Sequence, residues 1–235
     1  MKKNNYPKII LKKDIKQDAH NAIDFIIGEE EIEYKNWFLP EELRFLLNGK
    51  FSKKEIKKIL EEYTKIYYYL HQKEIDKGFS EAVRNWKKIE KKYFLLVGKI
   101  FKNHPWPKGK YTGFASVFRM FPRWIEPKIF YFPYQDTLGA TAPRVIAHEA
   151  LHFMFFSYIK KKYNLTEASK IKGRGDSYVW EVSEVFNTIM EKWDPYKKII
   201  KNFSKPYPGM EKMYTKMSKQ WKQKQDIDWV LDHWF

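Results

Sequence analysis

The chain has no cysteine, so disulfides and thiolate metal sites are excluded, and any transition metal must be held by His, Asp or Glu. Arginine is scarce, with six residues against 39 lysines, which leaves few guanidinium forks for reading phosphates and base edges. Long apolar runs are missing as well. Behind the basic start MKKNNYPK the only run is Ile9, Ile10 and Leu11, too short for the core of a signal peptide, and no stretch approaches a membrane span. The expectation is a cytoplasmic protein with no membrane segment, in which the sequons at Asn164 and Asn202 carry no weight. No repeat or low-complexity tract stands out beyond the lysine enrichment.

What the chain does have is material for a core. Aromatics make up 18% and hydrophobic residues 43% of its 235 residues, enough for one folded domain despite a charged content of 31%. The net charge of +16 would ordinarily point to nucleic acid or an anionic surface. Lysine, however, is enriched together with Ile, Asn, Tyr and Phe, the residue set that AT-rich coding favours. The charge is therefore read as composition and as solvated helix faces, and nucleic acid is not the favoured partner.

Residues 1–20 read as a loosely held Lys-rich segment, followed by short apolar runs broken by Gly28 and an acidic patch. Pro40 opens a short helix ending near Gly49, and Ser52 caps a longer one with apolar residues recurring from Ile56 to Leu70. A further helix runs from about Ser80 to Phe101. KNHPWPKGKYTG then marks a change to β-favouring sequence, and YTGFASVFRMF and KIFYFPYQD predict two strands at a sheet's edge, with Pro133 at a strand end. After Pro143 comes a helix, then a polar loop, then a patterned helix YVWEVSEVFNTIMEKW stopped by Pro195, and a helical tail with Trp221, Trp229 and Trp234. His71 and His104 have no partner at ligand spacing.

The helix beginning near Thr141 carries the chemistry. Thr141 can cap it, Pro143 falls in the first turn, and Val145, Ile146, Leu151, Phe155 and Ile159 form an apolar stripe that would seat it on a core. Within it, His148, Glu149 and His152 form an HExxH pentad, a pattern that chance would supply about 0.01 times at this composition. Positions four apart lie roughly 40° apart and one turn up, so both imidazoles can reach one ion, with Glu149 about 100° round. Zinc suits two neutral imidazoles and a carboxylate, with water in the fourth position. A bland alternative is a buried helix whose histidines only make hydrogen bonds.

Strands, HExxH helix, loop and a second helix bearing glutamates resemble the zincin metallopeptidases, in particular their gluzincin branch, over roughly residues 110–193. The extension typical of metzincins is absent, as is the exopeptidase motif of the aminopeptidases. The resemblance implies an α+β fold with a zincin-like metallopeptidase core and mainly helical N- and C-terminal parts. It would form a single domain, 1–235, with a helical lead-in over 1–105, the metal-site core over 106–195 and a helical tail over 196–235. It further implies Zn2+ as cofactor, His148 and His152 as ligands, Glu149 as general base, and a third ligand from the following helix. There the apolar stripe through Val182, Val185, Phe186, Ile189 and Trp193 puts Glu181 on its shoulder, so burial points to Glu181. The string VSEVFN resembles the gluzincin ligand segment and points to Glu184, with Thr188 one turn on as a partner. Glu184 is taken first and Glu181 as the alternative. Tyr178, Arg174 and His233 are candidates for stabilising an oxyanion. The expected function is a zinc metallopeptidase acting on a peptide or protein; the alternative is a basic, nucleic-acid-associated binding protein with a structural or degenerate metal site.

Overall fold

Ile9–Lys13 forms a strand, β1, and Ile15–Ile27 a helix, α1, so the Lys-rich N-terminal stretch is built into the fold rather than loosely held. The reason is long-range: β1 pairs in parallel with β2 (Tyr111–Ser116), a hundred residues away, and Asp14 caps α1 by accepting from the N–H groups of Lys16 and Gln17. The structure, a computed structural model, describes residues 6–28, 32–136, 140–201 and 203–235. The acidic patch at 29–31 and the sequon residue Asn202 lie outside them.

The protein is α+β, with a small mixed sheet in the order β1-β2-β4-β3. β2 is parallel to both β1 and β4 (Ile129–Pro133), and the two-residue β3 (Arg123–Trp124) runs antiparallel along β4. The two predicted strands are thus interior to the sheet rather than at its edge; β2 is buried at every residue, as parallel strands covered on both faces are. Pro133 is the last residue of β4, where its missing N–H does least harm.

Contacts gather the chain into two units, here called the sheet unit (9–86 and 111–146) and the helical unit (1–8, 87–110 and 147–235). The divisions fall inside two long helices, α4 (Gln72–Ile100) and α5 (Ala142–Tyr163). The sheet unit also contains α2 (Ile32–Phe38), a 3-10 helix Glu41–Asn48 closed by Gly49 at a φ of 75°, and α3 (Lys53–Leu70). α3 opens on the capping box expected at Ser52, with Glu55 reaching back to it. Leu39, Leu43, Leu46 and Leu60 close over Ala22 of α1 and over Phe118 and Met120 beyond β2.

α4 begins eight residues before the expected Ser80 and runs through Gly78, which is required rather than tolerated. A Cβ there would lie 2.5 Å from the Tyr134 carbonyl oxygen. Asp18 lies fully buried in the same unit and accepts from Ser116 Oγ at 2.5 Å, the Val117 N–H at 2.9 Å and the Tyr68 hydroxyl at 3.0 Å. It ties α1 to α3 and to the end of β2.

In the helical unit, α5 is followed by α6 (Tyr178–Lys192), the single turn α7 (Asp194–Lys197), α8 (Glu211–Gln223) and α9 (Ile227–Leu231), so the tail is helical as expected. α8 packs on α6, with the Trp221 ring set edge-on to those of Phe186 at 6.0 Å and Trp193 at 5.5 Å. The chain end is pinned by charge: Lys102 reaches Asp226 and Asp228, Lys162 reaches Asp228 and Asp232, and Tyr158 donates to Asp228. No helix among the described residues is long and apolar enough to cross a membrane.

Two outcomes test this account of the sheet unit. Gly78→Ala should lower stability by about 1–3 kcal/mol, the usual cost of overpacking, in denaturant titrations. Burial pushes the Asp18 carboxyl from 3.8 up to about 7, although its three donors pull it down. The folded chain therefore holds a proton that the unfolded chain has released, and the stability linked to it is complete below about pH 4 and lost as pH rises through 7. Asp18→Asn should become progressively more stable than wild type across that window, by up to about 1.4 kcal/mol per pH unit. A pH-independent difference would refute the assignment.

Candidate metal centre

Pro143 sits in the first turn of α5, and the Thr141 carbonyl accepts from the Val145 N–H at 3.0 Å, as its sequence predicts. The helix is not the one-sided amphipath expected. From Val145 to Ile159 every residue is buried except the half-buried His148 and Ser157. α6 is also buried nearly all round, from Val182 to Met190 without a break. Two such helices place polar side chains where their positions are set by packing on every side.

Three of those side chains converge. His148 Nε2 and His152 Nε2 lie 3.2 Å apart, and Glu184 sets its Oε2 3.2 Å from the first and its Oε1 3.2 Å from the second. About 3.3 Å is the ligand-to-ligand separation in a tetrahedral site with bonds of about 2.0 Å. The group offers ligand atoms all within 4.8 Å of one another and can hold a metal ion. Two of its members are buried, His152 at 0% and Glu184 at 2% exposure, and His148 is half-buried.

Glu191 completes the arrangement, and nothing in the sequence reading singled it out. Its Oε1 lies 2.9 Å from His148 Nδ1, while its Oε2 accepts from the Ser204 N–H and, at 2.7 Å, from Ser204 Oγ. With Nδ1–H donated to Glu191, the lone pair of His148 is left on Nε2, the atom facing His152 and Glu184. Asn187 binds the same segment from another direction, its Nδ2 donating to the His148 carbonyl at 3.0 Å. The signal was present: Glu184, Asn187 and Glu191 fall at i, i+3 and i+7, on one face of the helix.

Burial alone would lower the His148 pKa, but its hydrogen bonds to Glu184 and Glu191, with the nearby charge of Glu149, outweigh it and raise it to about 10. Glu149 is 6% exposed, one residue on from His148 and about 100° round the helix. Behind it, the Tyr93 hydroxyl donates to the Ala147 carbonyl at 2.7 Å. Burial, then Tyr196, then the Glu149 charge hold that phenol well above its ordinary range, so it stays a neutral donor.

The other site candidates are engaged elsewhere. Glu181 is half-buried in the first turn of α6 and accepts from Ser177 Oγ at 2.6 Å, so the structure brings Glu184, not Glu181, to the histidines. Thr188 donates to the main-chain carbonyl of Glu184 rather than to its carboxylate. The Tyr178 hydroxyl donates to the Trp234 carbonyl at 3.2 Å, Arg174 lies 4.8 Å over the Tyr178 ring, and exposed His233 points its Nδ1 at the Trp229 carbonyl. None of the three is hydrogen-bonded to the centre among the described residues. No family model, no curated protein and no solved structure matches the chain.

Glu184→Ala should abolish tight metal binding, Glu181→Ala should retain it, and Glu191→Gln should weaken it about 10- to 100-fold by releasing His148. Calorimetric titration of folded, metal-stripped protein with zinc separates the three. Equal affinity in Glu184→Ala and wild type would remove Glu184 from the centre.

Proposed function

We propose that the protein is a zinc-dependent peptidase with a gluzincin-like centre, in which His148, His152 and Glu184 hold the ion and Glu149 is the general base. The observation that carries this reading is the convergence of two helical histidines and one glutamate from the next helix on a single point, with Glu149 beside them. The donor set fits zinc: two imidazoles and one carboxylate, with no sulfur and too few oxygens for calcium or magnesium.

Bound zinc would supply Lewis acidity and lower the pKa of a coordinated water towards about 7. The protein's own groups do the rest. Glu149 takes a proton from the attacking water onto its carboxylate as the new C–O bond forms, and returns it to the amine as the C–N bond breaks. Glu191 keeps His148 in one tautomer and orientation throughout. Asn187, through the His148 carbonyl, fixes α6 against α5, so the ligands need little rearrangement. The main-chain bond from Tyr93 does the same one residue earlier.

Glu149→Gln should keep about one zinc per chain and lose at least about 100-fold in hydrolysis of a peptide cleaved by wild type, since a general base contributes to rate without holding metal. His148→Ala should lose both zinc and activity. Metal content by mass spectrometry and turnover with and without a chelator are the measurements. Full activity in Glu149→Gln would disprove the mechanism. Salt-sensitive nucleic-acid binding without chelator-sensitive hydrolysis would favour the basic binding protein instead.

A further inference from the structure

The positive charge is not spread evenly over the chain. The helical unit carries 27 Lys and Arg against 12 Asp and Glu, a net +15, whereas the sheet unit carries 18 against 17, a net +1. Composition bias explains an abundance of lysine but not its concentration in the unit that holds the metal centre. The acids of that unit are largely committed as well. Glu149, Glu184 and Glu191 are buried, and Asp226, Asp228 and Asp232 are taken by Lys102 and Lys162.

One element concentrates what is left. On α8, Lys212, Lys216 and Lys219 recur at i, i+4 and i+7 with Lys222 one turn further, all exposed, while Met217, Gln220 and Trp221 turn inward. The stripe is about 15 Å long at 1.5 Å per residue. Its only acid is Glu211 in the first turn. None of the four lysines has an ion-pair partner among the described residues, and Lys216 lies 5.1 Å over the Trp234 ring. Because α8 packs directly on α6, the stripe lies on the helix next to the one that supplies Glu184 and Glu191.

We propose that the exposed face of α8 is a docking surface for an acidic segment of the polypeptide substrate, an inference that rests on the peptidase reading and names the substrate class for it. A row of like charges without counter-ions costs self-repulsion, which an extended chain of carboxylates relieves, and the unit's net charge steers such a chain inward. Polypeptide fits better than nucleic acid. The stripe has no arginine fork and no exposed aromatic ring for a base to stack on, the two features that single-strand binding uses.

The test uses the full chain as Glu149→Gln, so that binding is read without turnover, and the anisotropy of a fluorescein-labelled Glu-rich peptide as signal. The peptide should bind, should weaken steeply between about 50 and 300 mM salt as screening shortens the reach of the lysines, and should outbind its Gln-for-Glu counterpart. Replacing Lys212, Lys216, Lys219 and Lys222 together by Gln should weaken it about tenfold or more at unchanged circular dichroism. Unchanged affinity in that variant overturns the proposal. So does tighter binding of a single-stranded oligonucleotide of equal length through the same lysines, which would give the face to nucleic acid. Because no hydrolysis is read, absence of peptidase activity in the wild type would sink the catalytic reading separately and leave this binding result standing.

Discussion

Everything at the centre depends on a polar seam buried between two apolar helices. The His152 imidazole and the carboxylates of Glu149, Glu184 and Glu191 are withdrawn from water, with His148 half-buried beside them, among residues such as Leu151, Phe155, Val185 and Phe186. Removing ionised groups from water costs several kcal/mol each, even after relaxation. A fold keeps such groups only where hydrogen bonds and aromatic packing secure them. The rings of Phe155 and Phe186 approach to 5.5 Å, and Phe101 meets Phe186 at 5.9 Å. That apolar grip sets the register of α6 on α5, and Asn187 locks it by donating to the His148 carbonyl. A slip of α6 by one residue would rotate Glu184, Asn187 and Glu191 together by about 100°, away from both histidines.

The pentad was legible because its chemistry is local: two ligands one turn apart need nothing but a helix, and Thr141 and Pro143 announce where that helix starts. Glu184 was legible only by its likeness to a gluzincin segment. The apolar stripe by itself pointed to Glu181, because it weighs burial on one face only. α6 is covered on both faces, so the side opposite its stripe is interior, and the carboxylate there has to meet partners rather than water. Glu191 escaped for a related reason. Followed by Lys192 near the end of the helix, it reads as a solvated pair, and only its i+7 relation to Glu184 reveals the shared face.

The sheet was legible in part. Aromatic, β-branched strings gave β2 and β4, but their place inside the sheet was hidden because β1 arrives from the N-terminus and two of its five residues are lysines. Parallel pairing leaves no hairpin signature, since its two strands need not be neighbours in sequence. Gly78 illustrates the converse. Helix propensity alone disfavours a glycine inside α4, yet in the folded chain it is what lets α4 approach the Tyr134 carbonyl.

Glu191 also shows how the centre is tied to the rest of the helical unit. One of its oxygens orients His148, and the other is held by the main chain and hydroxyl of Ser204, beyond α7. A carboxylate shared in this way transmits position: the segment around Ser204 cannot shift without turning the group that fixes the His148 tautomer. The link also explains the choice of glutamate at a position seven residues past Glu184. The carboxylate must span from α6 to an imidazole on α5 and to a loop amide at once, and a side chain one methylene shorter would give up one of the two. The ligand geometry is therefore set by the pentad helix, by the helix after it, and by Ser204 in the loop beyond α7.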